Sequence, residues 1–170
     1  RTVLNAIGGD KWQTSGQWVR YKFTVNDSGM YSIVTRFMQN INDGMYSSRI
    51  LSVYSGEGVA EGEDGYYNGV PFREANELRF NYSTDWQSEA LRFGTYGTDA
   101  KGKQVMQYTD IEMYFKAGVE YTIELEASLG TMGEIVRKVS ESLDVINNAY
   151  LSIMKLTGST PDANRDYNFL

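Results

Sequence analysis

The 170-residue sequence predicts a mainly β protein, an antiparallel β-sandwich followed by one long C-terminal amphipathic helix. Three observations carry that prediction. Apolar and polar residues alternate with period two in segment after segment, the mark of half-buried strands. Glycine- and asparagine-bearing turns, with no intervening helices, separate the segments, which favours antiparallel over parallel pairing. After Gly130 the apolar period lengthens to three or four residues.

In order along the chain, "WVRYKFTV" (18–25) sets Val19, Tyr21, Phe23 and Val25 against Trp18, Arg20, Lys22 and Thr24. The turn residues "NDSG" follow, and "MYSIVTRFMQ" resumes the alternation through Tyr31, Ile33, Thr35 and Phe37, so the two segments read as a hairpin. "SRILSVY" (48–54) is a further strand, running into the acidic, glycine-rich "SGEGVAEGEDGYYNG" (55–69), a long exposed loop or an elaborated hairpin. "ELRFNY" (77–82) alternates through Leu78, Phe80 and Tyr82. Two more runs, Ile111, Met113, Phe115 and Tyr121, Ile123, Leu125, Ala127, hinge at "KAGV", where Gly118 can take the positive φ of a tight turn. Ile135, Val139, Leu143, Ile146, Tyr150 and Ile153 then mark one face of a helix over about 132–155, a face expected to pack on the sandwich. Gly158 is the expected stop and Pro161 prevents resumption.

Composition narrows the function. A chain of this length suffices for one domain with a single core, so residues 1–170 are expected to form one β-sandwich domain with a junction segment at 156–170. Sixteen Lys and Arg against 22 Asp and Glu give a net charge of −6, which repels phosphate backbones and anionic lipid, so no nucleic-acid partner is expected. With neither Cys nor His, the chain has no disulfide, no thiolate metal site and no imidazole base. Carboxylate chemistry or a hard metal held by oxygens is what remains for an enzyme. No apolar run approaches the roughly 20 residues of a membrane span, so no direct membrane insertion is expected, and any export signal is expected upstream of Arg1.

Several stretches together carry a family resemblance. "NAIGGDKWQTSGQWVRYKFTVNDSGMYSIVTRFMQN", "SSRI", "GVPFREANELRFNYSTDW", "YFKAGVEYTIELEASLG" and "TGSTPDANRDY" resemble the jelly-roll domain of large bacterial extracellular solute-binding lipoproteins of sugar ABC importers. That domain is similar to carbohydrate-binding modules of families 6 and 35, on the galactose-binding-like fold. The resemblance implies a non-catalytic carbohydrate-binding accessory domain, extracellular or anchored at a bacterial cell surface, with an oligosaccharide or polysaccharide and neighbouring domains of the same polypeptide as partners. It also implies that these residues are part of a larger chain that continues beyond "TGSTPDANRDY", where Arg165 beside Asp162 and Asp166 ties the segment down or forms a hinge contact. The alternative is a structural module that orients neighbouring domains and has no ligand of its own.

A sugar presents C–H faces and hydroxyls, so its site needs exposed aromatics and a few polar groups. The aromatic candidates in turn-rich segments are Trp12, Tyr66, Tyr67 and Trp86, each of which could instead cap the core. Gln39, Asn40 and Arg49 flank the loop "INDGMYSS", where the resembled modules place ligand contacts. Their structural roles would be turn satisfaction for the amides and an ion pair for Arg49. No cofactor is expected. Structural calcium at Glu57, Glu61, Glu63 and Asp64 is conceivable, but their spacing does not match a calcium loop. An acid and nucleophile pair of carboxylates would make the protein a glycosidase, and no enzyme activity is expected.

Overall fold

Alternation of apolar residues decides which face of each strand turns inward, and the computed structural model shows how those faces meet. It describes residues 6–8, 11–161 and 164–165. The chain divides into two compact units, residues 1–130 and 131–170. Among its described residues the first holds eleven strands: β1 (Trp18–Phe23), β2 (Gly29–Ser32), β3 (Val34–Phe37), β4 (Tyr46–Ser55), β5 (Asn68–Gly69), β6 (Leu78–Asn81), β7 (Gln87–Ala90), β8 (Arg92–Thr98), β9 (Gln104–Asp110), β10 (Glu112–Phe115) and β11 (Tyr121–Ser128). All the pairings are antiparallel. A seven-stranded sheet runs in the order β1-β11-β4-β6-β8-β9, with β5 added to β4, and two short sheets pair β10 with β2 and β3 with β7.

The alternation places the core as expected. Ile111, Met113 and Phe115 are buried, and so are Tyr121, Ile123, Leu125 and Ala127. Opposite β11, the register Leu125↔Leu51 and Ile123↔Val53 extends the same face into β4. Phe115 is the hub of the aromatic packing, with ring centroids 4.7 Å from Tyr121, 5.0 Å from Phe23 and 5.9 Å from Tyr67.

The expected hairpin between residues 18–25 and 30–39 is not formed. β1 pairs with β11 and β2 with β10, so "NDSG" carries the chain from the large sheet to a small one. Two long-range bonds hold that crossing: the amide of Gly118 donates to the Val25 carbonyl (3.0 Å), and the amide of Ala117 donates to Ser28 Oγ (2.8 Å). Gly118 has φ of +74°, as the hinge at "KAGV" requires. β7, β8 and β9, in the stretch 87–110, have no counterpart among the sequence expectations. Leu91 and Ile111 sit between consecutive strands that belong to different sheets, β7 and β8, then β9 and β10. The Leu91 amide donates to the Ile33 carbonyl (2.7 Å) and the Ile111 amide to the Leu91 carbonyl (2.8 Å).

In the second unit the helix α1 (Met132–Thr157) spans 26 residues. It ends at Gly158, whose φ of +79° suits glycine and whose amide donates to the Met154 carbonyl (2.9 Å). None of its residues is buried. Among the described residues no helix is long and apolar enough to cross a membrane. Asp162 and Asp166, the expected partners of Arg165, lie outside the described residues.

Candidate functional site at the loop end of the sheets

The register sorts the seven predicted site residues into two groups. The loop 38–45 leads into Tyr46, which pairs with Asn81, and Asn81 leads into the loop 82–86. Phe37 pairs with Gln87 at the other side of both loops. Gln39, Asn40 and Trp86 therefore share one end of the sheets, Arg49 follows three residues after Tyr46 on β4, and Trp12 lies against Arg49. Tyr66 and Tyr67 lie beside Ser55, at the far end of the ten-residue β4, about 30 Å away along the strand.

Gln39 is buried, and its side chain closes its own loop. Its Oε1 accepts from the amides of Ile41 (3.1 Å) and Asn42 (3.0 Å), while Nε2 donates to the carbonyls of Asn42 (3.2 Å) and Met45 (3.1 Å). Two donors and two acceptor sites are thus all in use, leaving none for a ligand. Its carbonyl accepts from the Ser83 amide (2.8 Å), which joins the two loops. Ser83 Oγ in turn accepts from the Asp85 amide (3.1 Å) and shapes the turn that presents Trp86.

The result is a braced rim with apolar groups left outside. Trp86 is 47% exposed, Ile41 78% and Met45 52%, with Met38 and Asn40 also exposed. Sequence reasoning missed Ile41, Met45 and Met38. The signal was there in "MQNINDGMY", where three apolar residues flank an Asn-Asp-Gly turn that cannot bury them.

Most other candidate rings are already occupied. Arg49 lies 4.2 Å from the centre of the Trp12 ring, and Trp12 Nε1 donates to the Gln17 carbonyl (3.1 Å). The register puts Arg49 on the inward face with Leu51 and Val53. It forms no ion pair among the described residues, its Nη1 donates to the Ser48 carbonyl (2.7 Å), and burial pulls its pKa below the ordinary guanidinium value. Arg20 on Trp18, Arg79 on Tyr46 and Arg92 on Tyr108 repeat this stacking at 4.2 to 4.4 Å. Trp86 has the loosest such neighbour, Arg36 at 5.7 Å. Trp18, Tyr21 and Tyr96 are more exposed, yet belong to strands β1 and β8 rather than to the loops.

The opposite end is closed. Tyr67 packs on Phe115 and Tyr121, and its hydroxyl donates to the Tyr114 carbonyl (3.1 Å). Burial raises the Tyr67 pKa above the ordinary tyrosine value. Gly65 has φ of +88°, and a Cβ there would come within 2.9 Å of the Tyr121 hydroxyl. In the acidic loop Glu63 accepts from Lys116 Nζ (3.1 Å), and that hydrogen bond and charge hold its carboxyl below the usual range. Between β6, β7 and β8 the interior leaves a void of only about 10 Å³ beside Leu78, Phe80 and Leu91, room for no more than one water. No family model, curated protein or solved structure matches the chain.

Proposed function

We propose that the chain is a non-catalytic carbohydrate-binding domain that takes a segment of an oligosaccharide or polysaccharide at the rim formed by loops 38–45 and 82–86. The observation that carries this reading is the pairing of an open Trp86 ring with exposed Ile41 and Met45 on a frame whose polar groups are internally satisfied. A sugar ring stacks its C–H face on such a surface, and Asn40 and Arg36 are the polar groups beside it. Few groups engage, so affinity falls in the micromolar to millimolar range.

The same reading takes the sheets as the two layers of a jelly-roll sandwich, with Leu91 and Ile111 as corners where strands change layer. The resemblance to accessory domains of sugar-importer lipoproteins supports an extracellular or surface-anchored setting. The test is a titration of intrinsic tryptophan fluorescence against a panel of neutral and acidic oligosaccharides, with and without calcium. A saturable shift that Trp86→Ala removes is expected; a flat response from folded protein across the panel contradicts the reading. A second reading, a structural module without a ligand, draws on a separate observation: ten large apolar side chains of α1 stand exposed.

A further inference from the structure

The apolar stripe of α1 is continuous and clean. Ile135, Val139, Ile146 and Ile153 run down its centre, with Leu143 and Tyr150 on one flank, each 51 to 61% exposed. The charged residues lie elsewhere around the helix: Glu134, Glu141 and Asp144 are matched by Arg137, Lys138 and Lys155, so the polar surface has no net charge. A helix that lies on anionic lipid carries an excess of Lys and Arg. This balance therefore favours a protein partner.

From these features we infer that α1 pairs antiparallel with α1 of a second copy of this chain, centred on Asp144. Written as heptads, Met132, Val139, Ile146 and Ile153 occupy position a, and Ile135, Ser142, Ala149 and Leu156 occupy position d. An antiparallel pair stacks a against d of the partner. In a single register every layer is then filled: Met132 against Leu156, Ile135 against Ile153, Val139 against Ala149, and Ile146 against Ser142. The two small residues each meet a β-branched one. A parallel pair would instead place Ser142 on Ser142 and Ala149 on Ala149, leaving voids that close packing does not tolerate.

Two further details fit that register. The Ser142 hydroxyl donates to the Lys138 carbonyl (2.8 Å), so its burial would orphan no polar group. In the flanking positions Val145 meets Val145, Leu143 meets Leu143, and Lys138 meets Ser152, so no like charges are opposed. The area is also sufficient. Nine apolar side chains on the seam and its flanks, about half exposed and at on the order of 80 Å² each, supply about 700 Å² per copy, within the range of a standard stable interface.

The test uses the whole chain, which has no cysteine of its own. Sedimentation over about 1 to 200 μM gives the mass, and Val145→Cys, oxidised, reports the register. A concentration-dependent dimer that cross-links through position 145 is expected. Ile135→Cys alone should not cross-link, because antiparallel pairing puts the two copies of position 135 about 27 Å apart along the helices. Ala149→Leu separates a specific layer from a merely sticky patch: overfilling the layer should weaken the dimer at least tenfold, whereas a sticky patch would associate more tightly. A monomer across the range, cross-linking through position 135 alone, or tighter association of Ala149→Leu would each overturn the inference.

Discussion

The two ends of the long strand β4 show how similar residues come to differ in role. At the Ser55 end, Tyr67 is drawn into a cluster with Phe115, Tyr121 and Phe23, and its hydroxyl is spent on a backbone carbonyl. At the Tyr46 end, Gln39 and Ser83 absorb the polar groups of the loops, and Trp86, Ile41 and Met45 are left facing water. The frame holds its loops together, but apolar side chains left in water do not help the fold. Under the proposed function they make a surface for a ligand that is itself half apolar.

That contrast is open to a graded set of tests. Phe115→Ala should lower stability by about 3–5 kcal/mol in urea unfolding, since it empties the hub of the closed end. Gly65→Ala forces a side chain into left-handed backbone and against the Tyr121 hydroxyl, and should cost about 1–3 kcal/mol in the same assay. Gln39→Ala removes four side-chain bonds to the loop backbone, two to amides and two to carbonyls, and should cost about 1–3 kcal/mol. Unlike the first two, it should also weaken sugar binding, by loosening the rim.

The smallest expected effect is a pH dependence. Because the Tyr67 pKa is raised in the folded chain, its stabilising contribution is complete below the unfolded tyrosine value of about 10 and is lost as pH rises through the folded value. Urea midpoints measured between pH 9 and 11.5 should fall more steeply for the wild type than for Tyr67→Phe.

Much of the β architecture was legible because alternation states which face turns inward. Ile111, Met113 and Phe115, and the odd-numbered residues of β11, are buried where the pattern puts them. Alternation does not state which strand lies alongside, and so the expected pairing of β1 with β2 gave way to β11 and β10. β8 and β9 escaped notice because glycine, threonine and glutamine interrupt their apolar positions. The helix was legible in extent, and its period reports a stripe but not what covers it. For the site, Gln39 shows the limit: an amide that binds a sugar and an amide that staples a loop are the same residue in the same kind of turn.

The most direct test of the proposed function compares the two ends in one assay. Once a binding oligosaccharide is found, its affinity is measured by calorimetry for Trp86→Ala and for Tyr66→Ala, both checked for folding. Loss of at least tenfold in affinity for Trp86→Ala, with Tyr66→Ala unchanged, is the predicted result. Wild-type affinity in Trp86→Ala, with loss in Tyr66→Ala, would contradict it and move the site to the Ser55 end of β4.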